Sequence, residues 1–237
     1  DDRSNIMGLK ASDSGGGNFK PVPPGSYVAR CISVIDLGTQ TSVGKFGEKA
    51  AHKVRLSWEV FGDDDDGQPL TVGDMPMTVS KEYTVSLHEK AALRRDLAAW
   101  RGRDFTDDER KGFDIDKLLG VYALINVTHD TGGNGKTYAN VAGIAPVPKA
   151  MSAAKPPGVH PLTRFDLDDP DMDVFGALPE WLQKRIEAAP EWGHKPAGGA
   201  PVSANGADGI DDDVPFASAD FSFDLASRMS RRVRKVA

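Results

Sequence analysis

The chain has one cysteine, Cys31, among 237 residues. That excludes an internal disulfide and a cysteine-built zinc cluster, and it fits a reducing compartment. No run of 18 apolar residues occurs, so no membrane-spanning helix is expected. Aromatics make up 8% and hydrophobic residues 39%, little for a chain that packs along its whole length, while 25 glycines and 16 prolines point to turns and unstructured stretches. Catalytic patterns are missing as well. The histidines His52, His88, His129, His160 and His194 show no metal-ligand spacing. Gly135-Lys136-Thr137 lacks the upstream glycine of a phosphate-binding loop, because position 130 is Asp. The cluster Asp166, Asp168, Asp169, Asp171 and Asp173 lacks the glycine and closing glutamate of a calcium loop and is interrupted by Pro170; its expected role is helix entry or a partner contact. The expectation is a protein that is not an enzyme, with no metal and no cofactor.

What is present is an uneven distribution of charge. The net charge is −6. Residues 1–150 carry 19 Lys and Arg against 21 Asp and Glu, whereas residues 156–224 carry 4 against 14. The sign then reverses over Arg228, Arg231, Arg232, Arg234 and Lys235. A near-neutral body is followed by an acidic tail with a basic end.

The body reads as strands. Residues 1–26 form a Gly/Ser/Pro-rich lead-in. Strand-like runs follow at 27–37, 51–61, 76–87, 121–128 and 136–144. In the second, Val54, Leu56, Trp58 and Val60 alternate with Lys53, Arg55, Ser57 and Glu59, so Trp58 is expected in the core; Tyr83 has the same expectation. Gly132-Gly133-Asn134-Gly135 turns between the last two runs. A helix is expected over 88–100, and Thr106 with Glu109 fits a capping box. The order β-β-β-α-β-β is that of the OB-fold, a five-stranded Greek-key barrel with its helix between strands three and four. The expected fold is therefore mainly β, with an OB-like domain over 27–148. A linker at 149–158, a short acidic-hydrophobic helical motif at 159–192 and a largely disordered acidic tail at 193–237 would follow.

Within that tail lies Asp211-Asp212-Asp213-Val214-Pro215-Phe216. Three carboxylates would attract a basic rim, Pro215 stiffens the backbone, and Phe216 can fill a pocket. The hexamer resembles the acidic tip through which bacterial single-stranded DNA-binding proteins recruit replication and repair enzymes. With Pro24-Gly25-Ser26-Tyr27-Val28-Ala29-Arg30, the exit Asp36-Leu37-Gly38-Thr39-Gln40, and the helix Leu178-Pro179-Glu180-Trp181-Leu182-Gln183-Lys184-Arg185-Ile186, the layout over about 20–216 resembles phage-encoded members of that class. Here the hexamer is internal, followed by Ala217 to Ala237, so a partner must read it from side chains and not from a terminal carboxylate at Phe216.

The resemblance implies a sequence-tolerant single-stranded DNA-binding protein of phage replication or recombination. It would act in the host bacterial cytoplasm, without a membrane, and contact replication and recombination proteins through Asp211–Phe216. Whether it is a monomer or a homo-oligomer is open. Such binding needs cations for phosphates and flat side chains for bases. The expected walls are 38–50, with Lys45, Phe46 and Lys49, and 129–138, with Lys136 and Tyr138. The expected floor is Lys53 and Arg55, and Arg30 and Lys81 are further phosphate candidates. The alternative is a phage virion or assembly protein whose β body serves protein contacts and whose tail is a tether.

Overall fold

The computed structural model describes residues 20–44, 47–133, 135–152 and 155–193. Its frame is a mainly antiparallel sheet. Two long strands, β1 (Gly25–Gly44) and β2 (Gly47–Phe61), form the central hairpin. A two-residue pair, β3 (Thr71–Val72) and β4 (Met75–Pro76), leads into β5 (Thr78–Thr84). Helices α1 (Ala92–Arg101) and α2 (Asp107–Lys111) and a 3-10 turn over Ile115–Leu118 precede β6 (Tyr122–Thr131) and β7 (Thr137–Ala145). A short α3 (Lys149–Ser152), β8 (Thr163–Phe165), α4 (Met172–Ala177) and α5 (Glu180–Glu187) complete the described chain.

Strand order is β5-β2-β1-β6-β7, with β8 also on β1. The outer members β5 and β7 share no ladder, so the sheet is not closed by hydrogen bonds. They are bridged instead by Lys81, whose Nζ reaches Asp96 Oδ2 at 2.8 Å and the Val141 carbonyl at 3.1 Å.

The alternation read in β2 sets the main core. Val54, Leu56, Trp58 and Val60 are buried together with Val79, Tyr83, Leu93, Leu97, Trp100 and Ile125. Trp58 and Trp100 sit 5.9 Å apart at a tilt of 57°, an arrangement aromatic pairs favour. The Trp100 indole donates to the Tyr122 carbonyl, tying α1 to β6. The capping box forms as expected: Glu109 N donates to Thr106 Oγ1, and Thr106 N donates to Glu109 Oε2. The helix after Pro179 also forms, and Asp171 caps α4 by accepting from Asp173 N and Val174 N, the helix-entry role expected of its cluster.

Other elements depart from expectation. Residues 38–44 and 47–50, expected within a loop, continue β1 and β2 into a ribbon paired from Gly38↔Lys53 to Gly44↔Gly47. The expected linker at 149–158 and helical motif at 159–192, which would dock on the body or on a partner, form over residues 155–193 an arm that packs on β1 with its own core. Ile35 and Leu37 of β1 pack with Phe165, Leu167, Phe175, Leu178, Leu182, Ile186 and Ala189. β6 leaves the edge of β1 after Arg30↔Tyr122, and β8 takes over that edge, in parallel, from Ser33↔Thr163. An otherwise open strand edge is thereby covered. Gly38 permits the close approach: its φ is +65°, and a Cβ there would lie 2.6 Å from that of Ala189. Among the described residues no helix is long and apolar enough to cross a membrane.

Candidate nucleic-acid interface

The polar side of β2 was the expected floor of a binding groove. Lys53, Arg55, Ser57 and Glu59 do alternate with the core residues, but the arm lies across most of them. Arg55 is 6% exposed, Ser57 8% and Glu59 0%.

Three attachments hold the arm there. At one end, Glu59 accepts from Arg30 Nε at 2.5 Å and from the backbone N–H groups of Val159 and His160 at 3.1 and 2.8 Å. Arg30 also donates to the His160 carbonyl, and the His160 ring bonds the Pro76 carbonyl. In the middle, Pro161 and Thr163 close a cavity of about 10 Å³ over Ser33, Ser57, Thr78 and Ser80. At the far end, Glu82 Oε1 accepts from Arg55 at 3.1 Å and from Arg185 of α5 at 2.7 Å. The Arg55 guanidinium lies 5.2 Å from the ring centre of Trp181. Burial lowers the Arg55 pKa, and the Glu82 carboxylate opposes that shift. Buried charges of this kind persist when paired and hydrogen-bonded.

Arg30 and Arg55 are thus framework groups, not an open floor. Lys81 is a framework group too, for it lies in phase with Val79 and Tyr83 and bonds the buried Asp96, which also accepts from the Tyr83 hydroxyl at 3.0 Å. Burial pushes the Tyr83 hydroxyl pKa up.

The remaining expected residues lie on the two hairpins. Lys49 is exposed on the ribbon opposite Ser42, and Lys53, at the ribbon's base, donates to Thr84 Oγ1 at 2.9 Å. By alternation Lys49 and Lys53 share one side of β2. Lys136 is exposed in the β6–β7 turn, where its carbonyl accepts from Gly132 N; Tyr138 is half-buried opposite Asp130. The two turns do not rise side by side along β1. Gly25 pairs with Val127, so β6 and β7 overshoot the start of β1, whereas the ribbon extends its other end. Lys45, Phe46 and the hexamer Asp211–Phe216 lie outside the described residues.

Glu59, Glu82, Arg185, His52 and Glu191 anchor the arm, and no motif in the sequence marks any of them as a site residue. Their one signal was position: Glu59 and Glu82 occupy strand positions where a carboxylate needs a cation close by. Among the described residues, no group of three or more His, Cys, Asp or Glu side chains is placed to hold a metal ion. No family model matches the chain, and no curated protein matches it.

Proposed function

We propose that this chain is a non-enzymatic, sequence-tolerant single-stranded DNA-binding protein acting in phage replication or recombination. Its body is an OB-like barrel and its acidic hexamer recruits partner enzymes. The observation that carries the reading is connectivity. Strand order β5-β2-β1-β6-β7, with α1 inserted between β5 and β6 and Lys81 bridging β5 to β7, follows the path of an OB barrel. The candidate contacts fall in two groups, Lys49 and Lys53 on the ribbon and Lys136 and Tyr138 beyond the opposite end of β1, with Lys45 and Phe46 following the ribbon in sequence. Phosphates meet the lysines, and Tyr138 supplies a ring for stacking.

Titration of a mixed-sequence 30-mer, single-stranded and duplex, over a salt series tests it. The expected result is a preference for the single strand and affinity that falls steeply with salt. A 30-mer that stays unbound at low salt overturns the reading.

One observation favours the alternative, a virion or assembly protein. The outer side of β2, which an OB protein would offer to DNA, is already occupied by the chain's own arm. Indifference to DNA together with stoichiometric binding to phage structural proteins would decide for it.

A further inference from the structure

The end of the arm meets the ribbon at a histidine set between two carboxylates. His52 Nε2 lies 2.6 Å from Asp36 Oδ1, and its Nδ1 lies 3.7 Å from Glu191 Oε1. Glu191 follows α5 in the chain and is held by Thr39, whose amide donates at 3.0 Å and whose hydroxyl donates at 2.5 Å. Asp168, in the turn after β8, adds to the negative surroundings of the ring. No cation among the described residues bonds Asp36 or Glu191 other than His52.

A neutral imidazole has one N–H and one lone pair, so it satisfies one of the two carboxylates and turns a lone pair towards the other. Only the imidazolium presents N–H groups to both. We propose that His52 is a proton-dependent clasp: protonated, it joins Thr39 in holding the Glu191 carboxylate against the base of the ribbon, and on deprotonation Glu191 is left to the Thr39 bonds alone and the contact loosens. The arm's core around Phe165, Leu182 and Ile186 does not depend on this contact and stays in place. Trp192 belongs to that core, its ring 4.5 Å from that of Phe175, so what loosens is the Glu191 side chain between Ala189 and Trp192, just before the acidic tail departs. The inference stands apart from the DNA-binding reading, since none of its groups is a proposed DNA contact.

The electrostatics agree with the geometry. The hydrogen bond with Asp36 raises the His52 pKa by more than burial lowers it. Burial works against Glu191 ionising, yet the bonds from Thr39 hold its pKa below the ordinary range. The side chains of His52 and Glu191 are 33% and 37% exposed, so protons reach the site from solvent without unfolding. A raised histidine pKa means that the clasp is fully formed below about 6.5, the unfolded value, and is lost as pH rises through the folded value.

The test is an NMR titration of the full chain from acid to mildly alkaline pH, following the His52 ring and the Thr39 amide. The expected result is one shared midpoint above that of an unperturbed histidine. Glu191→Gln should lower the His52 midpoint, and His52→Gln should abolish the pH step at Thr39 while the Ile35 and Leu37 amides keep their positions. Asp36→Asn serves as a second variant, again lowering the His52 midpoint. A Thr39 amide that ignores the His52 titration, or a His52 midpoint unmoved by Glu191→Gln in a folded protein, overturns the proposal.

Discussion

Arg30 and Glu59 face each other across β1 and β2 at 2.5 Å, and the Glu59 side chain is wholly withdrawn from solvent. The pair joins the sheet to the arm, because Glu59 also accepts from Val159 and His160 and Arg30 donates to the His160 carbonyl. Glu59→Ala would leave a half-buried guanidinium and two backbone N–H groups unpartnered. The expected loss is about 3–5 kcal/mol, read from urea denaturation. Replacing both members by apolar residues of similar volume should cost much less than either single change. Gly158→Ala probes the same contact, since its Cβ would fall 1.7 Å from the Arg30 guanidinium. It should destabilise to the extent that Arg30 is displaced from Glu59 and the His160 carbonyl; a neutral result would show that the Arg30 side chain can move aside at little cost.

Ending the chain at residue 154 should expose Ile35 and Leu37 and the charged side of β2 together. Each buried aliphatic side chain of the arm's core contributes roughly 1.5–3 kcal/mol of transfer free energy. Light scattering after size exclusion should find the truncated protein aggregated or unfolded. The protein ending at residue 193 should remain well behaved. If both are monodisperse and equally stable, the arm is an accessory and not a structural layer.

Lys49→Glu and Lys53→Glu should each weaken single-stranded DNA binding and reduce the salt slope by roughly 0.7, the value of one phosphate contact on a single strand. Arg55→Gln should instead lower the unfolding midpoint with little change in DNA affinity relative to the folded fraction, because its partners are Glu82 and Trp181. An Arg55 effect on affinity larger than those of both lysines would return the floor of β2 to the binding site.

Cys31 is buried against the core, and burial pushes its thiol pKa up to about 12. At pH 8 the thiolate fraction is on the order of one in ten thousand, and thiolate is the reactive form. Thiol reagents should therefore label the folded protein only at its unfolding rate and label it promptly in denaturant. Rapid labelling of the native protein would contradict the packing of β1.

Much of the body was legible because its signals are local. Val54, Leu56, Trp58 and Val60 alternate, Thr106 and Glu109 stand at capping-box spacing, and Pro179 precedes an amphipathic turn. The arm was not legible, because what buries Arg55 and Glu59 comes from far along the chain. In sequence these residues are indistinguishable from a solvated face; only the approach of Arg30, His160, Glu82 and Arg185 makes their burial tolerable. The ribbon reads as a loop in sequence because Gly38, Gly44 and Gly47 break its pattern and its exposed positions are mostly polar. β8 spans three residues, too few for any periodicity to register.

The sharing of one edge of β1 between β6 and β8 bears on how the protein comes into being. β1 is made before every other strand of the sheet, yet the strand that completes its edge and the arm residues that cover Ile35 and Leu37 lie some 130 positions later, the separation of Arg30 from His160. Contacts so distant in sequence form late, after the local hairpins. A nascent chain carrying everything through β7 therefore still displays an apolar, half-paired strand, and this is the interval in which it is most exposed to aggregation.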